Sequence, residues 1–166
     1  DAMFLRKKTI VIASGGFDPL HVGHVRYLEA ARKFGDRLFV IVNDDNFLVR
    51  KKGFAFMKAE DRQEIVQALK CVGETIPSLD TDQTVIESLK CLHSWFGKNY
   101  KLVFAKGGDR TKENIPELGI CKTLGIHVVC GVGGGKIESS SELVKRSAKK
   151  GDHAENVSIL SRAARD

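Results

Sequence analysis

Ser14-Gly15-Gly16-Phe17-Asp18-Pro19-Leu20-His21-Val22-Gly23-His24 is the stretch from which the rest of the chain is read. An apolar run, Thr9-Ile10-Val11-Ile12-Ala13, leads into it. Val25, Leu28 and Ala31 leave it at helical spacing, with Tyr27 and Phe34 on the flank. The pattern predicts a strand, a glycine turn and a helix start. A helix start carries unpaired N–H groups and the positive end of the helix dipole, so this is a place for an anion, phosphate above all. Three readings of His21 and His24 stand open. Both imidazoles hold a phosphate during phosphoryl-group transfer, or both bind a metal, since residues three apart share a helix face, or both are satisfied by water and backbone. The neighbours favour the first. Gly15 and Gly16 let a ligand approach the backbone, Gly23 does the same at the helix entrance, and Asp18-Pro19 sets a turn. No Cys or carboxylate stands at helix spacing to complete a zinc site.

The chain has 166 residues, 42% of them apolar and 29% charged. That describes one globular domain, able to bury ~70% of the surface of its unfolded chain. We expect the domain over residues 1–150 and a polar tail over 151–166. The net charge of +6 suits a polyanionic ligand and equally suits plain solubility. Cys71, Cys91, Cys121 and Cys130 form no C-x-x-C pair and read as small apolar residues in a reducing compartment. No apolar run approaches ~18 residues, and Met3 to Lys8 lacks the layout of a signal peptide. A cytoplasmic protein without membrane contact is expected.

Along the chain the pattern alternates. Strands are expected at 8–13, 38–42, 71–76, 101–105 and 126–130. Helices are expected at 23–34, 45–50, 59–70, 82–96, 114–124 and 139–149, with a loop at 51–57. Ile65, Val66 and Leu69 are expected to face inward on the third helix, and Val85, Ile86, Leu89, Leu92 and Phe96 on the fourth. The alternation predicts an α/β fold: a Rossmann-like, doubly wound, five-stranded parallel sheet with helices on both faces. Ligands of such sheets bind outside the carboxyl ends of the strands. Four loops are expected at that edge: the histidine turn, Asn43-Asp44-Asp45, Lys106-Gly107-Gly108-Asp109-Arg110 and the glycine loop 131–135. That last loop and Lys136 miss the Walker form, because Ile137 stands where Ser or Thr must hold magnesium. Ser139, Ser140 and Ser141 follow and open a helix, which makes a second anion site.

Gly15-Gly16-Phe17-Asp18-Pro19-Leu20-His21-Val22-Gly23-His24 resembles the G-x-F-D-x-x-H-x-G-H signature of the cytidylyltransferase-like nucleotidyltransferases. Ser139-Ser140-Ser141 resembles the Ser-Thr-Thr with which these enzymes contact the triphosphate. The arginine that precedes it in cytidylyltransferases for glycerol phosphate is absent, and Lys136 stands nearby. Lys106-Gly107-Gly108-Asp109, Val42-Asn43-Asp44-Asp45 and Glu60-Asp61-Arg62 resemble the adenylyltransferase half of ADP-heptose synthase. The kinase half of that enzyme has no counterpart here. After the lysines, where that family has Arg-Pro, this chain has Gly53-Phe54-Ala55-Phe56.

The resemblance implies roles. His21, His24 and one of Lys51 and Lys52 would act in catalysis. Gly15, Gly16, Phe17, Asp18, Gly23, Lys106, Gly107, Gly108, Asp109, Ser139, Ser140 and Ser141 would bind the nucleotide. Asp44, Arg62 and Arg110 would meet the acceptor. Magnesium would bridge phosphate oxygens without protein ligands of its own, and a homodimer is expected. His93 and His127 are expected to be structural. The implied reaction transfers an NMP group from an NTP, ATP first, to a sugar phosphate with release of pyrophosphate. The alternatives are a CTP-dependent enzyme for a polyol or amino-alcohol phosphate and a non-catalytic nucleotide-binding module. A nucleic-acid-binding domain is disfavoured, because aromatic content is only 7% and most Phe residues lie inside apolar runs.

Overall fold

The computed structural model describes residues 6–108, 111–134 and 140–151. Five strands run parallel: β1 (Thr9–Gly15), β2 (Arg37–Val42), β3 (Glu74–Pro77), β4 (Lys101–Gly107) and β5 (His127–Val132). Their order across the sheet is β3-β2-β1-β4-β5. β1 and β2 are apolar at nearly every position because both faces of the sheet are covered. Alternate residues supply the two cores, as a side-chain period of two requires. Val11, Ala13, Leu38, Val40 and Val42 pack on one face with Leu28, Ala31 and Val66; Ile10, Ile12, Phe39, Ile41 and Phe104 pack on the other with Leu89, Leu92 and Cys121. The helices are therefore divided between the faces. α1 (Val22–Arg32) and α3 (Ala59–Gln67) cover the first, and α4 (Ile86–Phe96) and α5 (Leu118–Leu124) cover the second. α2 (Asp45–Lys52) follows β2, and α6 (Ser140–Gly151) follows β5.

Several boundaries differ from expectation for identifiable reasons. α2 continues through Lys51 and Lys52, and Gly53 closes it at φ 91°, a backbone that glycine adopts without a Cβ penalty. α3 stops at Gln67, whose side chain turns to β3, donating to Gly73 O and accepting from Thr75 N. Arg62 and Val66 hold the inward positions of α3, and Ile65 is exposed instead. α4 begins only at Ile86, because the Asp80 carboxylate accepts from the N–H groups of Glu87 and Ser88. The expected helix over 114–124 is two pieces, a 3-10 turn (Lys112–Asn114) and α5. Pro116 separates them, since it forces Ile115 into extended backbone. β4 and β5 each run two residues past the expected ends. No helix among the described residues is long and apolar enough to cross a membrane. All four cysteines are free thiols; burial and the neighbouring Glu117 push the Cys121 thiol up to about 11.

Candidate active site

The carboxyl ends of β1, β2, β4 and β5 lie at one edge, with Gly15 beside Val42 and Gly107 beside Val132 in register. The histidine turn leaves β1 there. His21 is the N-cap of α1, and its Nδ1 accepts from Gly23 N at 3.1 Å. His24, three residues on, accepts from His21 N through its own Nδ1 at 3.2 Å. Reciprocal capping leaves both rings with their hydrogen on Nε2. The rings stack, with centroids 3.8 Å apart. Burial first, then the charges of His21 and Lys51, pull His24 down to about 3. It is a neutral imidazole across the physiological range and donates from Nε2 without being a cation.

Phe17 sets the height of this pair. Its backbone is left-handed at φ 52° and its ring is 2% exposed. The ring meets His24 edge-on, with centroids 5.1 Å apart. It also lies over Gly15, where a Cβ would come within 2.9 Å of Phe17 Cζ; at Gly16 a Cβ would come within 2.7 Å of a Leu48 methyl. The space at both glycines is taken by the chain's own side chains. Glycine is needed at both positions for Phe17 and Leu48 to pack there, and the buried Phe17 ring positions His24.

Two of the expected site residues are buried. Asp18 is 1% exposed. Its carboxylate accepts from Phe56 N at 2.6 Å and Met57 N at 2.7 Å, and pairs with Lys52 Nζ at 2.9 Å. It ties the segment after α2 to the histidine turn, with no oxygen turned to a nucleotide. Arg62 is fully buried and faces no acceptor phosphate. It donates to Met57 O, Gly16 O and Asn43 O and to the Asp45 carboxylate. A guanidinium suits this place because its five donors radiate in a plane. Sequence reasoning missed this role. A helix-face arginine opposite three separate segments leaves no local pattern.

The two lysines are now distinguishable. Lys52 also donates to Asp18 O at 2.6 Å and is nearly buried. Lys51 is exposed, and its charge is one of those that depress His24. Asp44 is the N-cap of α2 and accepts from Phe47 N at 2.7 Å. Beside it the buried Asn43 Oδ1 has no hydrogen-bond partner among the described residues. On the far side of the turn, Tyr27 of α1 donates its hydroxyl to Ala105 O, and its burial drives the phenol pKa upward. A Cβ at Gly107 would come within 2.9 Å of the Tyr27 ring, and one at Gly133 within 2.9 Å of Tyr27 Cα. Gly107 and the glycine loop thus close on α1 beside the histidines. Lys106 lies over Phe104 at 5.1 Å, and Gly108 ends the described part of that loop. Asp109, Arg110 and Ser139 lie outside the described residues; Ser140 and Ser141 are the first residues of α6, their side chains outside the description.

A cleft of about 450 Å³ lies at the opposite edge, lined among others by Lys7, His93, Tyr100, Lys101 and His127. Gly97 and Gly125, which end α4 and α5, also line it. Helix carboxyl ends carry partial negative charge, and the basic side chains there offset it. Among the described residues no group of three or more His, Cys, Asp and Glu could hold a metal ion.

The family profile described as cytidylyltransferase-like matches residues 12–128, which include the histidine turn, the whole of β2, β3 and β4, the end of β1 and the start of β5. This chain belongs to the cytidylyltransferase-like nucleotidyltransferases. Bifunctional protein HldE of Coxiella burnetii is 39% identical over 110 residues, 64% of this chain and 23% of that protein. HldE of Shewanella sediminis is 39% identical over 124 residues, 73% of this chain and 25% of its own length. The chain thus spans about a quarter of the curated relatives it matches. Two solved structures share the fold. A lipopolysaccharide core biosynthesis protein of Thermoplasma volcanium aligns at TM-score 0.56 and 24% identity, covering 75% of this chain and 94% of its own. A protein assigned as a nicotinate-nucleotide adenylyltransferase, from Vibrio parahaemolyticus, aligns at TM-score 0.57 and 17% identity, covering 83% and 85%.

Proposed function

We propose that the chain transfers an NMP group from an NTP, ATP first, to a phosphorylated sugar, releasing pyrophosphate. One observation carries the reading: His21 and His24 stack at a helix N-terminus with both Nδ1 atoms engaged by backbone N–H groups. Two Nε2–H donors are thereby fixed in orientation. In the reaction an acceptor phosphate oxygen attacks the α-phosphorus, a new P–O bond forms, and the bond to the β-phosphate oxygen breaks. The acceptor phosphate is already anionic at neutral pH, so no strong base is needed. What the protein supplies is fixed geometry and donors aimed at charge on the transferring group. His24, neutral by burial, donates without leaving an uncompensated buried cation before the nucleotide arrives. Lys51 adds fixed charge, while Lys52 holds Asp18 and the segment behind it. Ser139, Ser140, Ser141, Gly107, Gly108, Lys106 and Asp109 are proposed for the nucleotide phosphates and base, and Asp44 and Arg110 for the acceptor. Magnesium enters with the nucleotide as part of the substrate, held by phosphate oxygens and water.

ATP is favoured by the likeness to HldE; CTP with a polyol phosphate is the second reading. A homodimer and a cytoplasmic location remain part of the proposal. The test is pyrophosphate release with ATP, CTP, GTP and UTP against sugar and polyol phosphates, magnesium present. Release with one pair names base and acceptor together. Binding of an NTP without release, across all acceptors, would overturn catalysis in favour of a binding module.

A further inference from the structure

Phe54 is 41% exposed and Phe56 is 60% exposed. Water contact at two phenyl rings so close in sequence forgoes burial free energy that core positions would have gained, and leaves both rings accessible to a ligand. The segment that carries them is not loose. At its start the Gly53 N–H bonds to Val49 O at 2.8 Å. At its end the buried Asp18 carboxylate holds Phe56 N and Met57 N, and Arg62 Nε donates to Met57 O at 2.9 Å. The anchors belong to the active-site turn itself. Asp18 stands three residues before His21, and the same Arg62 guanidinium bonds Gly16 O at 2.8 Å. Lys52 joins the two parts directly: its ammonium is 2.9 Å from the Asp18 carboxylate and 5.1 Å from the Phe54 ring centroid. The rings are therefore displayed on a fixed platform beside the histidine pair.

We propose that Phe54 and Phe56 are the acceptor subsite, and that they select a phosphate carried on a neutral ring with an apolar face. This rests on the transfer reaction proposed above. Phenyl faces offer no hydrogen bonds, so they gain nothing from an open-chain polyol whose hydroxyls are better served by water. They do gain from a flat ring stacked on them. A cationic acceptor such as an amino-alcohol phosphate is refused on charge. Lys52 already lies against the Phe54 ring, and Arg50 and Lys51 complete a basic last turn of α2. A second cation over the same ring would meet like charge rather than the bare π face that cation binding needs. Two sources share the chemistry the rings accept, a pyranose with its apolar face and a heteroaromatic ring.

The experiment measures pyrophosphate release at saturating ATP, repeated with CTP, using four acceptors: glucose 1-phosphate, riboflavin 5′-phosphate, glycerol 3-phosphate and phosphocholine. The wild-type chain is compared with Phe54→Ala, Phe56→Ala and Phe56→Tyr, each first shown to unfold at the wild-type urea midpoint. The expected result is turnover with a ring-bearing acceptor. Its KM rises about tenfold in each alanine variant, kcat is little changed, and Phe56→Tyr behaves as wild type. Glucose 1-phosphate and riboflavin 5′-phosphate then tell the pyranose from the heteroaromatic source. Preference for glycerol 3-phosphate or phosphocholine, or an unchanged KM in the alanine variants, overturns the subsite while leaving nucleotidyl transfer standing. Unchanged KM together with a shift of the variants to a smaller species on gel filtration assigns the rings to contact with a second copy instead. No release with any of the four overturns the subsite; whether transfer itself survives is then read from the wider acceptor series above.

Discussion

Arg62→Lys keeps the charge and removes the fork. The native guanidinium serves four acceptors: Met57 O at 2.9 Å, Gly16 O at 2.8 Å, Asn43 O at 2.6 Å and Asp45 Oδ1 at 2.7 Å. A lysine ammonium offers three donors from one point and cannot span carbonyls that lie around a plane. At least two of the three carbonyls then lose their donor, and each orphaned buried acceptor costs about 1–3 kcal/mol. The Asp45 carboxylate is 45% exposed, so its share is small after solvent screening. The substitution should therefore cost about 3 kcal/mol, and Arg62→Met, which leaves all three carbonyls unserved, about 5 kcal/mol. With a urea m-value of about 2 kcal/mol/M, Arg62→Lys should lower the unfolding midpoint by about 1.5 M. The assay is urea unfolding followed by far-UV circular dichroism, with acceptor KM measured in parallel below the transition. A variant that unfolds within about 0.3 M of wild type but shows a strongly raised acceptor KM would refute the reasoning, and would return Arg62 to the substrate.

His24→Ala should lower kcat by about a hundredfold or more, the usual cost of losing one donor to a developing charge. His24→Gln should recover part of this and His24→Asn should not, because the donor atom is Nε2 and only glutamine places an amide nitrogen there; equal rates for the two would argue against that tautomer. His24 also makes stability depend on pH. Its folded pKa is about 3 against 6.5 unfolded, so between these values the unfolded chain takes up a proton that the folded chain refuses. Stability from this residue is full above pH 6.5 and falls toward pH 3 by up to about 1.4 kcal/mol per pH unit, and His24→Gln should flatten that part of a urea-midpoint profile. Asp18→Asn breaks a buried pair with Lys52 and weakens both bonds to the segment after α2. It should cost about 3 kcal/mol and speed amide exchange at Phe56 and Met57 before exchange rises in β1, whereas uniform acceleration would mean Asp18 supports the whole fold equally.

Local pattern and tertiary position contributed differently. Continuous apolar runs at β1 and β2, separated by a helical period, are enough to predict a buried parallel sheet, and the sheet puts every strand's carboxyl end at one edge. The histidine turn needed nothing more, because its chemistry is local: capping at α1 involves residues two and three apart, and such spacings are written in the sequence. Pro116 could have been read in the same way, since the residue before a proline is held extended wherever it occurs. The roles of Arg62, Asp18 and Lys52 are of another kind. Arg62 is an unremarkable helix residue until α3 is laid against the ends of β1 and β2, and then its side chain is the donor for three segments far apart in sequence. Lys51 and Lys52 are neighbours with the same chemistry, and only the turn of α2 sends one toward Asp18 and leaves the other exposed beside the histidines. The sequence by itself determined the elements, the edge and the histidine pair, because those rest on periodicity and short-range hydrogen bonds. Only the tertiary structure decided which charges hold the turn together and which stay exposed, because a buried polar group takes its function from the acceptors that packing brings within about 3 Å.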